Sequence, residues 1–214
     1  MDKKIQEWVD TVQSNGCRVE TVTVLNEIRK SDSSLLFALI DARVYDPQGN
    51  RLPNIVFIRG HACVIVPAVY NTESQEHAYL MVRQRRIGSG EDSLEFPAGM
   101  LDNESDNPLG VAIKEMFEET GLTITKSQLF PLCETMLYSS VGGSDEGIYY
   151  YGCHINVDNA QYKSLHNRLR ENDHENERIT VKIVTREDAG EQARSTQVLL
   201  GLYLFENYLK THSS

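Results

Sequence analysis

The chain has 214 residues, 40% of them hydrophobic and 24% charged, with a net charge of −10. That length suits one domain of ordinary size, or one domain with a smaller appendage, and is enough to bury a core. The acidic balance argues against a protein that runs along a nucleic-acid backbone, and no run approaches the roughly 18 apolar residues of a membrane span.

The first residues contain no apolar signal-type core, so a cytoplasmic location is expected, with the nucleus second. Cys17, Cys63, Cys133 and Cys153 are widely scattered, with no paired spacing of the kind zinc sites use. Reduced, buried thiols are expected.

Residues 3–13 place Ile5, Trp8, Val9 and Val12 at helical spacing and predict a short amphipathic helix. Val19 to Val24 alternates, and Leu35 to Tyr45 is a second β-rich run ending at the turn Asp46-Pro47-Gln48-Gly49-Asn50. Ile55 to Ile58 and Cys63 to Val66 are the strongest strand material, and Ala78 to Val82 is read as a hairpin partner.

Next comes a loop running into a short helix. Leu109, Ala112, Ile113 and Met116 recur at i, i+3, i+4 and i+7, the spacing of one buried stripe. Pro108 suits the first helical turn and Gly121 the position just past the last. Glu115, Glu118 and Glu119 fall on a different face, close enough to repel one another at about 0.2–0.5 kcal/mol per pair. Crowded carboxylates are the oxygen-rich donor set that a hard divalent cation such as Mg²⁺ takes.

Beyond it, Leu129 to Leu137 and Gly147 to Ile155 are predicted strands, with the glycine turn Gly142-Gly143 between them. Residues 158–177 are polar and are expected to be a loop with some helix; Thr180 to Val184 is a strand. Residues 187–193 and 196–209 are closing helices, with Val198, Leu199, Leu202, Tyr203 and Phe205 expected to be largely buried. The order predicts an α+β fold with helices outside a mixed sheet. A β-rich N-terminal piece over 1–55 and a main domain over 56–214 are expected.

Three further stretches carry groups suited to a phosphorylated ligand. Arg59-Gly60 stands at a strand junction, and Arg83, Arg85 and Arg86 put three guanidiniums at the end of another strand. Gly142 and Gly143 allow close approach of backbone to a ligand. Glu175-Asn176-Glu177 precedes the last strand.

The stretch from Gly99 to Lys114-Glu115-Met116-Phe117-Glu118-Glu119-Thr120-Gly121-Leu122 resembles the Nudix box, a glycine and an acidic loop followed by Arg-Glu-aliphatic-x-Glu-Glu-x-Gly-aliphatic. Lys114 replaces the usual Arg, and a one-residue insertion leaves Glu104 or Asp106 as the displaced first acid. Arg59-Gly60, the Gln84-x-Arg86 segment, the lead-in Leu94 to Met100, the Ser139 to Glu146 turn and Glu175 to Ile179 follow the order of the ADP-ribose/ADP-sugar pyrophosphatase branch, and the lead-in and box are most similar to plant-type ADP-sugar diphosphatases. Val141 departs from that branch, which has Pro there.

The resemblance implies an α/β/α sandwich. It also implies that Glu115 and Glu119 bind Mg²⁺ or Mn²⁺ with the backbone carbonyl of Ala98, that Glu118 is a third metal acid, and that Arg59 and Arg86 contact substrate. Glu177, with Glu175 as the alternative, is the expected base. The implied activity is hydrolysis of a nucleoside diphosphate sugar, such as ADP-ribose, ADP-glucose or UDP-glucose, by a homodimer paired through its N-terminal piece. The alternatives are a protein of the same fold that binds nucleotides or partners without hydrolysis, or an enzyme for another nucleotide.

Overall fold

The computed structural model describes residues 1–101, 107–172 and 177–212, with residues 171, 172 and 177 described by backbone alone. The chain divides into two compact units, Met1–His61 with Leu137–Ile148, and Ala62–Met136 with Tyr149–Ser214.

In the first unit, helix α1 (Lys3–Ser14) forms where the apolar spacing predicts it, with Ile5 and Val9 buried. Asp2 caps its start, accepting from the Lys4 N–H at 3.2 Å. Strands β1 (Arg18–Arg29) and β2 (Leu35–Tyr45) pair antiparallel, and β3 (Ile55–Ile58) pairs antiparallel with β2. Alternation then sorts the side chains. Ala38, Ile40, Ala42, Val44 and Ile58 point to a small core shared with Ile5, whereas Leu39 and Ile55 remain exposed. The segment 137–148 adds β9 (Leu137–Tyr138), which pairs with Gly147 and Ile148 at the start of β10 (Gly147–Val157).

The second unit is a sheet with helices on both faces. Its strands are β4 (Ala62–Asn71), β5 (His77–Arg85), β6 (Asp92–Glu95), β7 (Ala98–Met100), β8 (Leu129–Pro131), β10, β11 (Leu169–Asn172) and β12 (Glu177–Val184). They run in the order β11-β12-β5-β4-β10-β8, with β6 beside β5 and β7 beside β4. The period of two along β4 and β5 decides which helix each residue meets. Cys63, Ile65, Ala78 and Leu80 share a core with Val111, Ala112 and Met116 of the acid-bearing helix and Leu165 of α3 (Asn159–Leu165). Val66 and Phe96 meet Gly201 of α5 (Thr196–His212), while the Tyr79 ring is edge-on to Phe96 and Phe205. The short helix α4 (Arg186–Gln192) lies between β12 and α5 in sequence.

The acid-bearing helix α2 (Pro108–Glu115) has Pro108 in its first turn and Asn107 as its cap, the Asn107 side chain accepting from the Gly110 N–H at 3.0 Å. It then widens into a π turn over Met116–Thr120. Gly121 closes it at φ 77°, the left-handed conformation that favours glycine, and donates to the Phe117 carbonyl at 2.8 Å.

Several expectations need correction. The run Leu129 to Leu137 is strand only at its ends, as β8 and β9. The polar stretch 158–177 contains α3 and β11 rather than mainly loop. Leu199 and Tyr203 are exposed on α5, while Val198, Leu202 and Phe205 are buried. The four cysteines are free, with Cys63 and Cys153 buried as expected and Cys17 and Cys133 partly exposed.

Candidate active site

Glu115, at the end of α2, and Glu119, in the π turn after it, lie against the backbone of β7. Because a π turn carries more residues per turn than an α-helix, side chains beyond Met116 depart from plain helical spacing. Glu119 is accordingly buried at 6% exposure, where the sequence spacing placed it with Glu115 and Glu118 on a face other than the apolar stripe. Its Oε2 accepts from the Ala98 N–H at 3.2 Å. Glu115 lies across Gly99, and a Cβ built on Gly99 would overlap the Glu115 carboxylate. Glycine at that position leaves the room in which the Glu115 carboxylate sits; close approach, not a left-handed backbone, favours it.

The same negative charges reach the next strand. Cys63 on β4 pairs with Gly99 on β7, and its thiol is pushed up to about 12, first by burial. Glu115 and Glu119 add to that rise, while a hydrogen bond from the Gly99 backbone works against it.

Glu118 is half-exposed and faces Lys114, whose Nζ stands 3.3 Å from Glu118 and 3.9 Å from Glu115. Lys114 thus does meet the acids, but as a point charge on an exposed stem. Among the described residues no three His, Cys, Asp or Glu side chains are drawn together as a ready-made cation cage. The three carboxylates lean instead on an ammonium, a glycine and an amide. Their chemistry still suits a hard divalent cation: oxygen donors only, two of them against a strand backbone, with Gly99 leaving the room that Glu115 occupies.

Arg86 belongs to this unit too. It follows β5, and Glu95 at the end of β6 grips it bidentately, with Nε at 3.0 Å and Nη2 at 2.7 Å from carboxylate oxygens. That pairing aims a planar fork at the price of two of its five donors.

Arg59, Gly142 and Gly143 lie in the first unit. Asp145 accepts from the backbone N–H of Arg59 at 2.7 Å and of Gly60 at 3.2 Å. Glu146 accepts from Arg59 Nε and from the Ser139 hydroxyl, both at 2.6 Å. Burial raises the Asp145 carboxyl above its ordinary range, and the two backbone donors pull it back down. Gly143 joins the same network, its carbonyl accepting from Phe57 N–H at 2.8 Å. A Cβ at Gly142 or Gly143 would meet open space, so neither glycine is demanded by crowding within the fold. Beside this turn a cleft of about 250 Å³ is lined by Trp8, Tyr138, His61 and Asp145, among others.

Glu175, Glu104 and Asp106 lie outside the described residues, and Glu177 opens β12 opposite Asn172. One contributor escaped the sequence altogether. Arg170 of β11 donates through Nε to the Glu118 carbonyl at 3.0 Å and through Nη2 to the Phe117 carbonyl at 3.1 Å. Its strand gives little apolar signal, because Leu169 beside it is itself 70% exposed.

Known proteins resemble this chain in sequence and in fold. A family model described as NUDIX domain matches residues 60–199. A curated relative, "Nudix hydrolase 14, chloroplastic" of Arabidopsis thaliana, is 28% identical over 181 residues, covering 79% of this chain. The chain spans 57% of that relative's length. Among solved structures, the crystal structure of an ADP compounds hydrolase superposes with a TM-score of 0.63 at 16% identity, covering 91% of this chain and 95% of that one.

Proposed function

The chain belongs to the Nudix family, and from that premise we propose that it is a hydrolase of nucleoside diphosphate sugars, adding water across the diphosphate to release a nucleoside monophosphate and a sugar phosphate. The observation that carries this reading is the placement of Glu115 and Glu119 against the Ala98-Gly99 backbone. Those two glutamates, with Glu118 and the Ala98 carbonyl, would hold Mg²⁺ or Mn²⁺. When bound, such a cation offsets the negative charge of the diphosphate and eases deprotonation of the attacking water.

The chain's own groups do the rest. Arg86, held as an oriented fork by Glu95, is suited to a phosphate's oxygens. Arg59, fixed by Glu146, is assigned a second substrate contact. Glu177, or Glu175, takes the proton from water. Gly142 and Gly143 leave open space beside the turn for a ligand.

ADP-sugars head the list of substrates, because the structurally similar protein is an ADP compounds hydrolase. The test is a panel of ADP-ribose, ADP-glucose and UDP-glucose with Mg²⁺, read as monophosphate release by chromatography. Release from at least one of them, abolished by EDTA, is expected. Nucleotides that bind in calorimetry and are recovered intact would overturn hydrolysis in favour of a binding protein.

The same reading includes a homodimer. Leu39 pairs across strands with Phe57, and Ile28 with Phe37, so one face of the three-stranded sheet presents Ile28, Leu39 and Ile55 at 38–56% exposure. A second copy is the occupant that the reading assigns to this face. Light scattering is expected to give a dimer, and Leu39→Asp a monomer; a monomeric parent overturns it.

A further inference from the structure

We propose that Arg170 is a positioning residue for the cation site, a fork that sets the direction of Glu118 and Glu119 by holding the backbone between them. The inference rests on the assignment of those glutamates as cation ligands. Arg170 stands on β11, far from α2 in sequence, and its guanidinium reaches two successive carbonyls, Phe117 at 3.1 Å and Glu118 at 3.0 Å. The first belongs to the peptide joining Phe117 to Glu118, the second to the peptide joining Glu118 to Glu119. Both peptide planes flanking Glu118 are therefore pinned and set its Cα–Cβ bond, and the second of them is also one of the two planes that set the Cα–Cβ bond of Glu119.

Three circumstances make this clamp more than an ordinary helix cap. The clamped carbonyls lie inside the π turn, where hydrogen-bond geometry departs from that of an α-helix and side-chain direction is correspondingly sensitive. The guanidinium carbon also stands 5.8 Å from the centre of the Phe117 ring, a second hold on the same turn. Finally, Lys114, where the family pattern has Arg, approaches Glu118 and Glu115 only as an exposed ammonium. A planar fork able to span two acceptors is supplied here by Arg170 acting on the backbone. Gly121 is part of the arrangement: a Cβ there would come within 3.0 Å of Arg168 and 3.5 Å of Arg170.

The test is Mn²⁺ binding followed by the electron paramagnetic resonance of the free ion, for wild type, Arg170→Ala, Arg170→Lys and Glu119→Gln. Arg170→Ala is expected to weaken Mn²⁺ binding about 10- to 100-fold, the usual loss when a group orienting metal ligands is removed. Its kcat at saturating metal should recover toward wild type, so that the defect lies in the metal requirement. Arg170→Lys keeps the charge but replaces the planar fork, and its stacking on Phe117, with a shorter-reaching point donor, and should fall between the two. A lowered melting temperature with unchanged Mn²⁺ affinity would mean that Arg170 serves stability alone and would overturn the proposal. Should Arg170→Ala fail to fold, Arg170→Lys decides, and wild-type affinity there overturns it. Glu119→Gln separates the two layers of the argument. If it binds Mn²⁺ as wild type does, the ligand assignment fails and takes the role of Arg170 with it; if it alone loses Mn²⁺ binding, only the role of Arg170 fails.

Discussion

The end of the acid-bearing helix and the Ser139–Glu146 turn both bury carboxylates, yet they hold them in different ways. In the turn, Asp145 and Glu146 accept from two backbone N–H groups, a guanidinium and a hydroxyl, most at or below 2.7 Å. In the helix end, Glu119 accepts from one amide at 3.2 Å, Glu118 faces an exposed ammonium at 3.3 Å, and Glu115 rests on a glycine. Carboxylates matched by short donors fix a loop. Like charges standing near one another repel, and a bound cation would relieve that repulsion. On the function proposed above, the turn's carboxylates hold Arg59 in place and the helix end's carboxylates hold the cation.

The largest effect that would break this contrast is expected from Gly99→Ala. The added Cβ meets the Glu115 carboxylate directly, so Glu115 must leave its place. Turnover is expected to fall on the order of 10²-fold or more, the scale of losing one preorganised electrostatic group. Steady-state kinetics beside a circular-dichroism spectrum checks it, and near-normal activity would detach Glu115 from the chemistry.

Asp145→Asn probes the other side. With its amide oxygen in the place of Oδ1 both N–H groups keep an acceptor, but the amide nitrogen then faces the Gly60 N–H, 3.2 Å from the Oδ2 position, donor against donor, at a cost of about 1–3 kcal/mol in urea unfolding. The pH dependence has a definite sign. Burial holds the folded Asp145 carboxyl above its ordinary 3.8, so the folded state retains the proton longer than the unfolded state. Wild-type stability relative to Asp145→Asn should therefore fall as pH rises above 3.8. A difference that grows with pH would contradict the raised carboxyl.

Lys114→Arg should give the smallest change. A guanidinium can engage Glu118 and Glu115 with a fork where Lys114 approaches them at 3.3 and 3.9 Å. The pair is exposed, so metal affinity is expected to tighten only by a few-fold, on the scale of surface ion pairs. Mn²⁺ titration reads it directly, and an unchanged affinity would remove any role for that position in holding the acids.

The sequence showed the elements whose periodicity survives folding. The stripe on α2, the strand runs of β2, β4 and β5, and the final helix all announce themselves because one face of each is buried. The Glu115, Glu118 and Glu119 set was legible from spacing, but the burial of Glu119 was not. A π turn has no residue signature of its own, and it is the folded backbone over Met116–Thr120 that reveals it. Arg170 was illegible for a related reason: an exposed edge strand such as β11 does not alternate, and its partner carbonyls lie 52 and 53 residues away. The pairings of Arg59 with Glu146 and Arg86 with Glu95 likewise appear only once strands and turns bring distant charges together.

The central claim is that the acids of the helix end carry out a cation-dependent cleavage of a diphosphate. Phosphorus NMR of one nucleotide sugar with Mg²⁺, followed in parallel for wild type and Glu119→Gln at matched folded concentration, tests it most directly. Wild type is expected to convert the diphosphate resonances into two monophosphate resonances, and Glu119→Gln to leave them unchanged over the same time. Equal conversion by the two proteins would contradict it.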